Sequence, residues 1–299
     1  MRWSVLVFAA WSCGQAQPLA DHHQHFLKAA RTPPAGFALD AAELVRQMDA
    51  TGIKQAVVLS IAYQRSNPNR PPVENEEDRV REENDWTAAQ VAQHPGRLIA
   101  FCGINPLKGY ALGEIGRCAR DPHLRRGLKL HFGNSDVILD DPAHVAKLRA
   151  VFAAADKHRM PIVAHLRANY DRRRPWGEKQ ARIFLEQVMP AAPHVVVQVA
   201  HAAGAGYYDD DGVDEAFGFF ARAIAQRDRR ARRLYFDLSV THWEAKAESF
   251  TRNLRTIGMK RLLFASDAPP AQGLAEFRRF PLSARELRQI ERNQAPYLR

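Results

Sequence analysis

The chain has 299 residues, 46% hydrophobic, 25% charged and 9% aromatic, the balance of a soluble globular protein, and no apolar run is long enough to span a bilayer. Its formal charge of +10 and pI near 9.8 come from Arg scattered through helical stretches such as residues 221–233; with no nucleic-acid motif and no basic strand interleaved with aromatics, nucleic acid is excluded as a partner. Three cysteines, Cys13, Cys102 and Cys118, are too few for a disulfide framework.

Residues 1–16 read as an export signal: Arg2, a mostly apolar run over 3–11, then Gly14-Gln15-Ala16, small at both positions that a signal peptidase inspects. Cleavage after Ala16 leaves one domain over residues 17–299 in the periplasm or secreted. Ser12-Cys13 offers an alternative lipoprotein cleavage point, with a lipid anchor at Cys13. A native N-terminal strand in a cytoplasmic protein is the other alternative. Export would let Cys102 and Cys118 pair, and buried free thiols explain them equally well.

The stretch Ala20-Asp21-His22-His23-Gln24-His25 follows. In an extended strand Asp21, His23 and His25 point to one side and His22 and Gln24 to the other, so two imidazoles on one face can share a metal ion. His22, facing away, packs or meets solvent. Residues 40–51 have helical apolar spacing at Leu44, Val45 and Met48, closed by Gly52 as a C-cap. Residues 55–61 form a nearly continuous apolar run, as in a strand buried on both faces. A polar, proline-rich loop over 63–74 precedes a helix over 76–93.

Further strands are expected over 98–104, 127–132, 161–166, 195–201, 234–240 and 262–267. Helices over 111–120, 142–158, 178–189, 213–226 and 244–257 separate them. Pro142 opens the second of these helices, where its missing N–H costs nothing. A last helix over 283–290 has Ser283 as N-cap. Strand and helix alternate about eight times, which favours a closed (β/α)8 barrel of the α/β class in a single domain. An open doubly wound sheet is the runner-up, without a glycine-rich phosphate loop to support it.

The polar residues that interrupt the apolar strands lie near the strands' C-terminal ends: His25, Lys129 with His131, His165, His201 and Asp267. Lys129, His165 and His201 recur at intervals of 36 residues. In a barrel all these points face one mouth, where active sites are built. Four His, one Lys and one Asp converging there meet the needs of a divalent metal site. His131 shares the face of Lys129 and is a candidate substrate contact, as are Arg167 and Asn169, because Arg pairs bidentately with carboxylates. His242, with Trp243, either lines the mouth or sits in a surface loop.

The motifs D-x-H-x-H (Asp21, His23, His25), G-x-K-L-H (Gly127 to His131), His165, Ala200-His201-Ala202-Ala203-Gly204 and F-A-S-D (Phe264 to Asp267) resemble, in this order, those of the amidohydrolase superfamily. They are similar to its branch that includes aminocarboxymuconate semialdehyde decarboxylase, and the resemblance runs from Asp21 to near the C-terminus. It implies that His23, His25 and Asp267 hold the principal metal and that His165 joins them or serves a second ion. Asp267 would also shuttle a proton, and His201 would stabilise an oxyanion or act as a ligand. Lys129 would be carboxylated to bridge two metals, or would bind a substrate anion.

The cofactor so implied is a divalent metal, zinc by preference, and one ion rather than two. It lowers the pKa of its water and polarises the attacked carbonyl. The activity expected first is hydrolysis of an amide, lactone or ester in a small, carboxylated molecule. Non-oxidative decarboxylation is the alternative, and a non-catalytic, metal-binding envelope protein the third reading. Self-association into a homo-oligomer is compatible with the sequence.

Overall fold

A strand that is apolar on both sides must be covered on both, and the runs in this chain achieve that by closing into a cylinder inside a ring of helices. The computed structural model describes residues 18–27, 36–167 and 174–298. The signal expected over residues 1–16, Cys13 and Asn169 therefore lie outside the described residues.

The elements are β1 (Ala20–Gln24), α1 (Ala41–Thr51), β2 (Gln55–Leu59), α2 (Glu76–Ala92), β3 (Leu98–Ile104), α3 (Ala111–Cys118), β4 (Leu128–His131), α4 (Pro142–Lys157) and β5 (Ile162–His165), then α5 (Glu178–Ile183), β6 (Val197–Val199), α6 (Asp211–Ala225), β7 (Leu234–Asp237), α7 (Ala247–Ile257), β8 (Leu262–Leu263), α8 (Pro270–Arg278) and α9 (Ala284–Glu291). Each strand pairs in parallel with the next, in sequence order. Two hydrogen bonds join the last strand's segment to the first, His22 N–H to Phe264 O and Asp267 N–H to His23 O, each 3.0 Å. The result is a single-domain (β/α)8 barrel.

Local chemistry sets the helix ends. Asp40 accepts from Glu43 N–H at 2.9 Å and Gly52 turns left-handed at φ 77°, so α1 is stopped at both ends by residues suited to the task. Ser283 and Glu286 cap α9 reciprocally. Inside the cylinder Val57, Leu59, Phe101 and Val163 form a small apolar layer, with Tyr297 packed against it. The larger core lies between strands and helices. A Cβ on Gly127 would come within 2.3 Å of the Phe101 ring, so the glycine at the start of β4 is required by packing.

Two differences from the sequence reading matter. The expected loop over 63–74 begins with a 3-10 turn, Ala62–Ser66. The strands expected over 195–201 and 262–267 stop at Val199 and Leu263. Beyond them the backbone of His201 (φ 55°) and Asp267 (φ 42°) is left-handed, so it leaves strand geometry before these residues are reached. Non-glycine residues in that region store strain, and such strain clusters at functional sites. Cys102 of β3 and Cys118 of α3 form a disulfide, which decides between the two readings of these cysteines. Among the described residues no helix is long and apolar enough to cross a membrane.

Candidate metal centre at the barrel mouth

His23 and His25 emerge from β1 with their Nδ1 atoms already engaged. His23 Nδ1–H donates to Asp237 Oδ2 at 3.1 Å, and His25 Nδ1–H donates to Leu59 O at 2.5 Å. In a neutral imidazole one nitrogen donates and the other accepts, so in both rings Nε2 keeps its lone pair. Those two Nε2 atoms lie 3.2 Å apart. Asp267 Oδ1 is 3.6 Å from Nε2 of His25 and 3.9 Å from that of His23. Two ligands of one tetrahedral ion at about 2.0–2.1 Å would stand about 3.3 Å apart, so this donor set fits a divalent cation.

Asp21 belongs to the D-x-H-x-H motif but does not join that group. Wholly buried, it accepts from Ser266 N–H (3.1 Å), from the Ser266 hydroxyl and from Gln24 Nε2 (2.9 Å), tying β1 to the segment that carries Asp267. Burial raises its carboxyl to about 6 against the pull of those hydrogen bonds. His22 packs, as strand alternation expects: its Nδ1–H donates to Phe264 O at 2.9 Å and its Nε2 accepts from Ala295 N–H at 3.1 Å.

Asp237, at the end of β7, is the residue that sequence reasoning missed. Its Oδ2 accepts from His23 Nδ1 and from Gln198 Nε2 (2.8 Å), and its Oδ1 accepts from His201 N–H (2.9 Å) and the Ser239 hydroxyl (2.7 Å). The Ser239 carbonyl and hydroxyl in turn accept from His201 Nδ1–H, at 2.9 and 2.8 Å. One buried carboxylate thus sets the tautomer of His23 directly and that of His201 through a serine. Burial alone would raise the Asp237 carboxyl, but the facing His23 and His201 outweigh it and hold it well below the usual range. A signal for it exists: Asp237 continues the 36-residue interval of Lys129, His165 and His201.

His201 Nε2 lies 3.7 Å from Asp267 Oδ2, while the other oxygen of that carboxylate faces His25. Lys129 is fully buried, its Nζ donating to His23 Nε2 at 3.2 Å, and burial pushes its ammonium down to about 8. His131 and His165 stack face to face at 3.9 Å, and His165 meets His201 edge-on at 4.7 Å. His131 Nδ1 accepts from Asn134 N–H at 3.1 Å, so its neutral ring carries the proton on Nε2, the opposite tautomer to His23 and His25. Among the described residues His165 is not one of the tight ligand group of His23, His25 and Asp267. Arg167 is buried and ion-paired with Asp210, the N-cap of α6, so its charge is shared with that carboxylate.

Burial holds the His25 imidazole down to about 3 and those of His23, His131 and His165 well below their usual range. These rings are therefore neutral at physiological pH, the form in which imidazole binds metal. Burial also raises the Asp267 carboxyl, opposed by His201 and Lys129. Beside Asp267 and Ser239 a cavity of about 810 Å³ opens toward β7 and β8, walled by Phe37, Tyr207 and His242. His242 therefore lines the mouth, its ring edge-on to Tyr207 at 4.9 Å.

Residues 20–294 match the amidohydrolase family profile. A search of curated proteins finds no match. The fold is similar to 5-carboxyvanillate decarboxylase LigW from Sphingomonas paucimobilis, at TM-score 0.63 and 16% identity, over 92% of this chain and 96% of that one. It is similar to 5-carboxyvanillate decarboxylase LigW2 from Novosphingobium aromaticivorans, solved with bound manganese, at 0.59 and 14%, over 95% and 97%. It is also similar to a probable 2-pyrone-4,6-dicarboxylic acid hydrolase from Acinetobacter baumannii, at 0.57 and 14%, over 91% and 96%.

Proposed function

The chain belongs to the amidohydrolase family, and from that premise we propose that it is a metal-dependent decarboxylase of a small aromatic or unsaturated acid. His23, His25 and Asp267 hold one divalent ion, zinc or manganese, and a set of two imidazoles and a carboxylate suits either. When bound, that ion supplies Lewis-acid polarisation of substrate oxygens.

The observation that carries this reading is the meeting of Lys129, fully buried, and Asp267, half-buried at the cavity, around His23. A substrate carboxylate is drawn to the Lys129 ammonium, which is buried, so the attraction is stronger than in water. His131, with its Nε2 proton, orients a second substrate oxygen. As the C–C bond breaks, carbon dioxide departs and the electron pair stays on carbon. That carbon takes a proton from Asp267, which solvent reprotonates. His201, its Nδ1 held by Ser239, faces Asp267 with the lone pair of Nε2, 3.7 Å from Oδ2. Two of the similar folds are 5-carboxyvanillate decarboxylases, an analogy of fold that tilts the choice.

Hydrolysis of an amide, lactone or ester is the second reading. Asp267 beside His201 is equally well placed to take a proton from water, and the pyrone dicarboxylate hydrolase shares the fold. Product analysis separates the two. The metal-loaded enzyme is incubated with hydroxylated benzoates and unsaturated acids, and in parallel with lactones, esters and amides. Carbon dioxide release that disappears in Asp267→Asn supports decarboxylation. Ring opening or ester cleavage without carbon dioxide supports hydrolysis. No turnover on either panel favours the non-catalytic envelope reading.

We also infer export. The Cys102–Cys118 disulfide supports it, since such bonds persist in oxidising compartments. The mass of the protein purified from the periplasm tests cleavage at Ala16 against cleavage before Cys13.

A further inference from the structure

The hydrogen bonds beneath the metal ligands do not end at Asp237. Gln198 of β6 is wholly buried and donates from Nε2 to Asp237 Oδ2 at 2.8 Å and to His22 O at 3.1 Å. Its Oε1 accepts from the hydroxyl of Tyr297. Tyr297 belongs to the 3-10 turn Pro296–Leu298, and its ring meets Phe101 edge-on at 5.2 Å inside the cylinder. That turn is anchored to the barrel wall: Ala295 N–H donates to His22 Nε2, and Asn293 Nδ2 donates to Leu262 O at 2.7 Å.

We propose that Tyr297 is a positioning residue for the metal site, its hydroxyl locking the Gln198 amide that holds Asp237 against His23. The physical reason is the near symmetry of a carboxamide. Its two ends have the same shape, and only their partners decide which way it faces. As placed, Oε1 receives a hydroxyl proton and both N–H groups meet acceptors. Flipped, it would set Oε1 against the Asp237 carboxylate and the His22 carbonyl, two acceptor–acceptor contacts.

Removing the hydroxyl leaves Oε1 buried without this donor, and a buried acceptor in that state is costly. The amide then rotates or draws back, and Asp237 loses a partner. The grip on His23 Nδ1 loosens, and with it the aim of Nε2 toward His25 and Asp267. Groups that orient metal ligands typically alter affinity about 10- to 100-fold, and one bond further out an effect on the order of 10-fold is expected.

The inference rests on the reading of His23 as a ligand, so its test includes that reading. Metal-free full-length protein is titrated with zinc(II) and manganese(II) against a chromophoric chelator, as wild type, Tyr297→Phe, Phe101→Leu and His23→Ala. Tyr297→Phe is expected to bind about 10-fold more weakly, measured at a temperature where the metal-free protein is folded, its thermal midpoint being lowered by the unpaired Gln198 oxygen. Phe101→Leu, which loosens packing around the same ring but spares the hydroxyl, is expected to keep wild-type affinity. Should Tyr297→Phe be too unstable to purify, Tyr297→Met removes the hydroxyl with more freedom to repack and is expected to weaken binding to the same extent. Wild-type affinity in either hydroxyl-free variant, with binding lost in His23→Ala, overturns the proposal and leaves the metal reading standing. Equal binding by wild type and His23→Ala overturns both.

Discussion

Among the described residues, two of the groups of ligand-type side chains make a contrast: His23–His25–Asp267 at the mouth, half-buried, and Cys102–Glu114–Cys118 between β3, α2 and α3, wholly buried. Both bring three ligand-type atoms close together, and they differ in what those atoms are doing. In the second group the sulfurs are bonded to each other. Glu114 Oε1 accepts from Asn84 Nδ2 and Arg117 at 2.8 Å each, and its Oε2 accepts from Arg117 Nε at 2.8 Å. Every donor and acceptor there is satisfied within the protein, so the group is structural. At the mouth each Nδ1 is satisfied by a partner behind its ring, so each Nε2 turns its lone pair into shared space, that of His23 toward the Lys129 ammonium that donates to it and that of His25 toward its neighbouring ligands. Proximity of ligand-type atoms does not make a site; lone pairs turned toward one another by hydrogen bonds behind them do.

The contrast can be broken by mutation. His23→Ala is expected to abolish metal retention, whereas Glu114→Gln should keep one ion per chain; elemental analysis of the two purified variants checks this. The double variant Cys102→Ala, Cys118→Ala is expected to lose about 3 kcal/mol of stability, the entropy of opening a short loop. The separation of 16 residues sets that loop, and metal affinity should not change. Urea unfolding and chelator titration read the two quantities. Parallel loss of metal would show that the groups are coupled.

Asp237→Asn sharpens the comparison from behind the ligands. An amide cannot accept equally well from His23 Nδ1, Gln198 and Ser239, and affinity should fall about 10- to 100-fold in the same titration. The smallest effect lies far from both groups. Ser283→Ala breaks the α9 capping box and should cost about 1 kcal/mol. Arg255, then Ser283, hold the Glu286 carboxyl down from 4.5 to about 2. Its folded pKa thus lies below its unfolded one, so its stabilisation is present above about 4.5 and is lost as pH falls toward 2. Urea midpoints measured between pH 2 and 7 should show a shallower acid limb in Ser283→Ala than in wild type.

The barrel was legible because its buried strands read as unbroken apolar runs separated by helices with readable ends, from Gly52 through to Ser283. His23, His25, Lys129 and Asp267 stood out because a charged or imidazole side chain at the end of such a run has few structural reasons to be there. Asp237 and Gln198 did not, although they sit on the same kind of strand. Each is one polar residue in a hydrophobic run, and their importance lies in partners 214 and 99 positions away, His23 and Tyr297. The left-handed turns at His201 and Asp267 were equally hidden, since neither carries the glycine that usually marks one. Arg167, expected from the sequence to contact substrate, has a partner that the sequence did not reveal, Asp210 at the N-cap of α6.

Anomalous diffraction at the zinc or manganese edge, on crystals grown with that metal, tests the central claim most directly. The account predicts one strong peak at the mouth, about 2.0–2.2 Å from Nε2 of His23 and of His25 and from a carboxylate oxygen of Asp267. A peak bound elsewhere, or metal-soaked crystals with both imidazoles free of any ion, would contradict it.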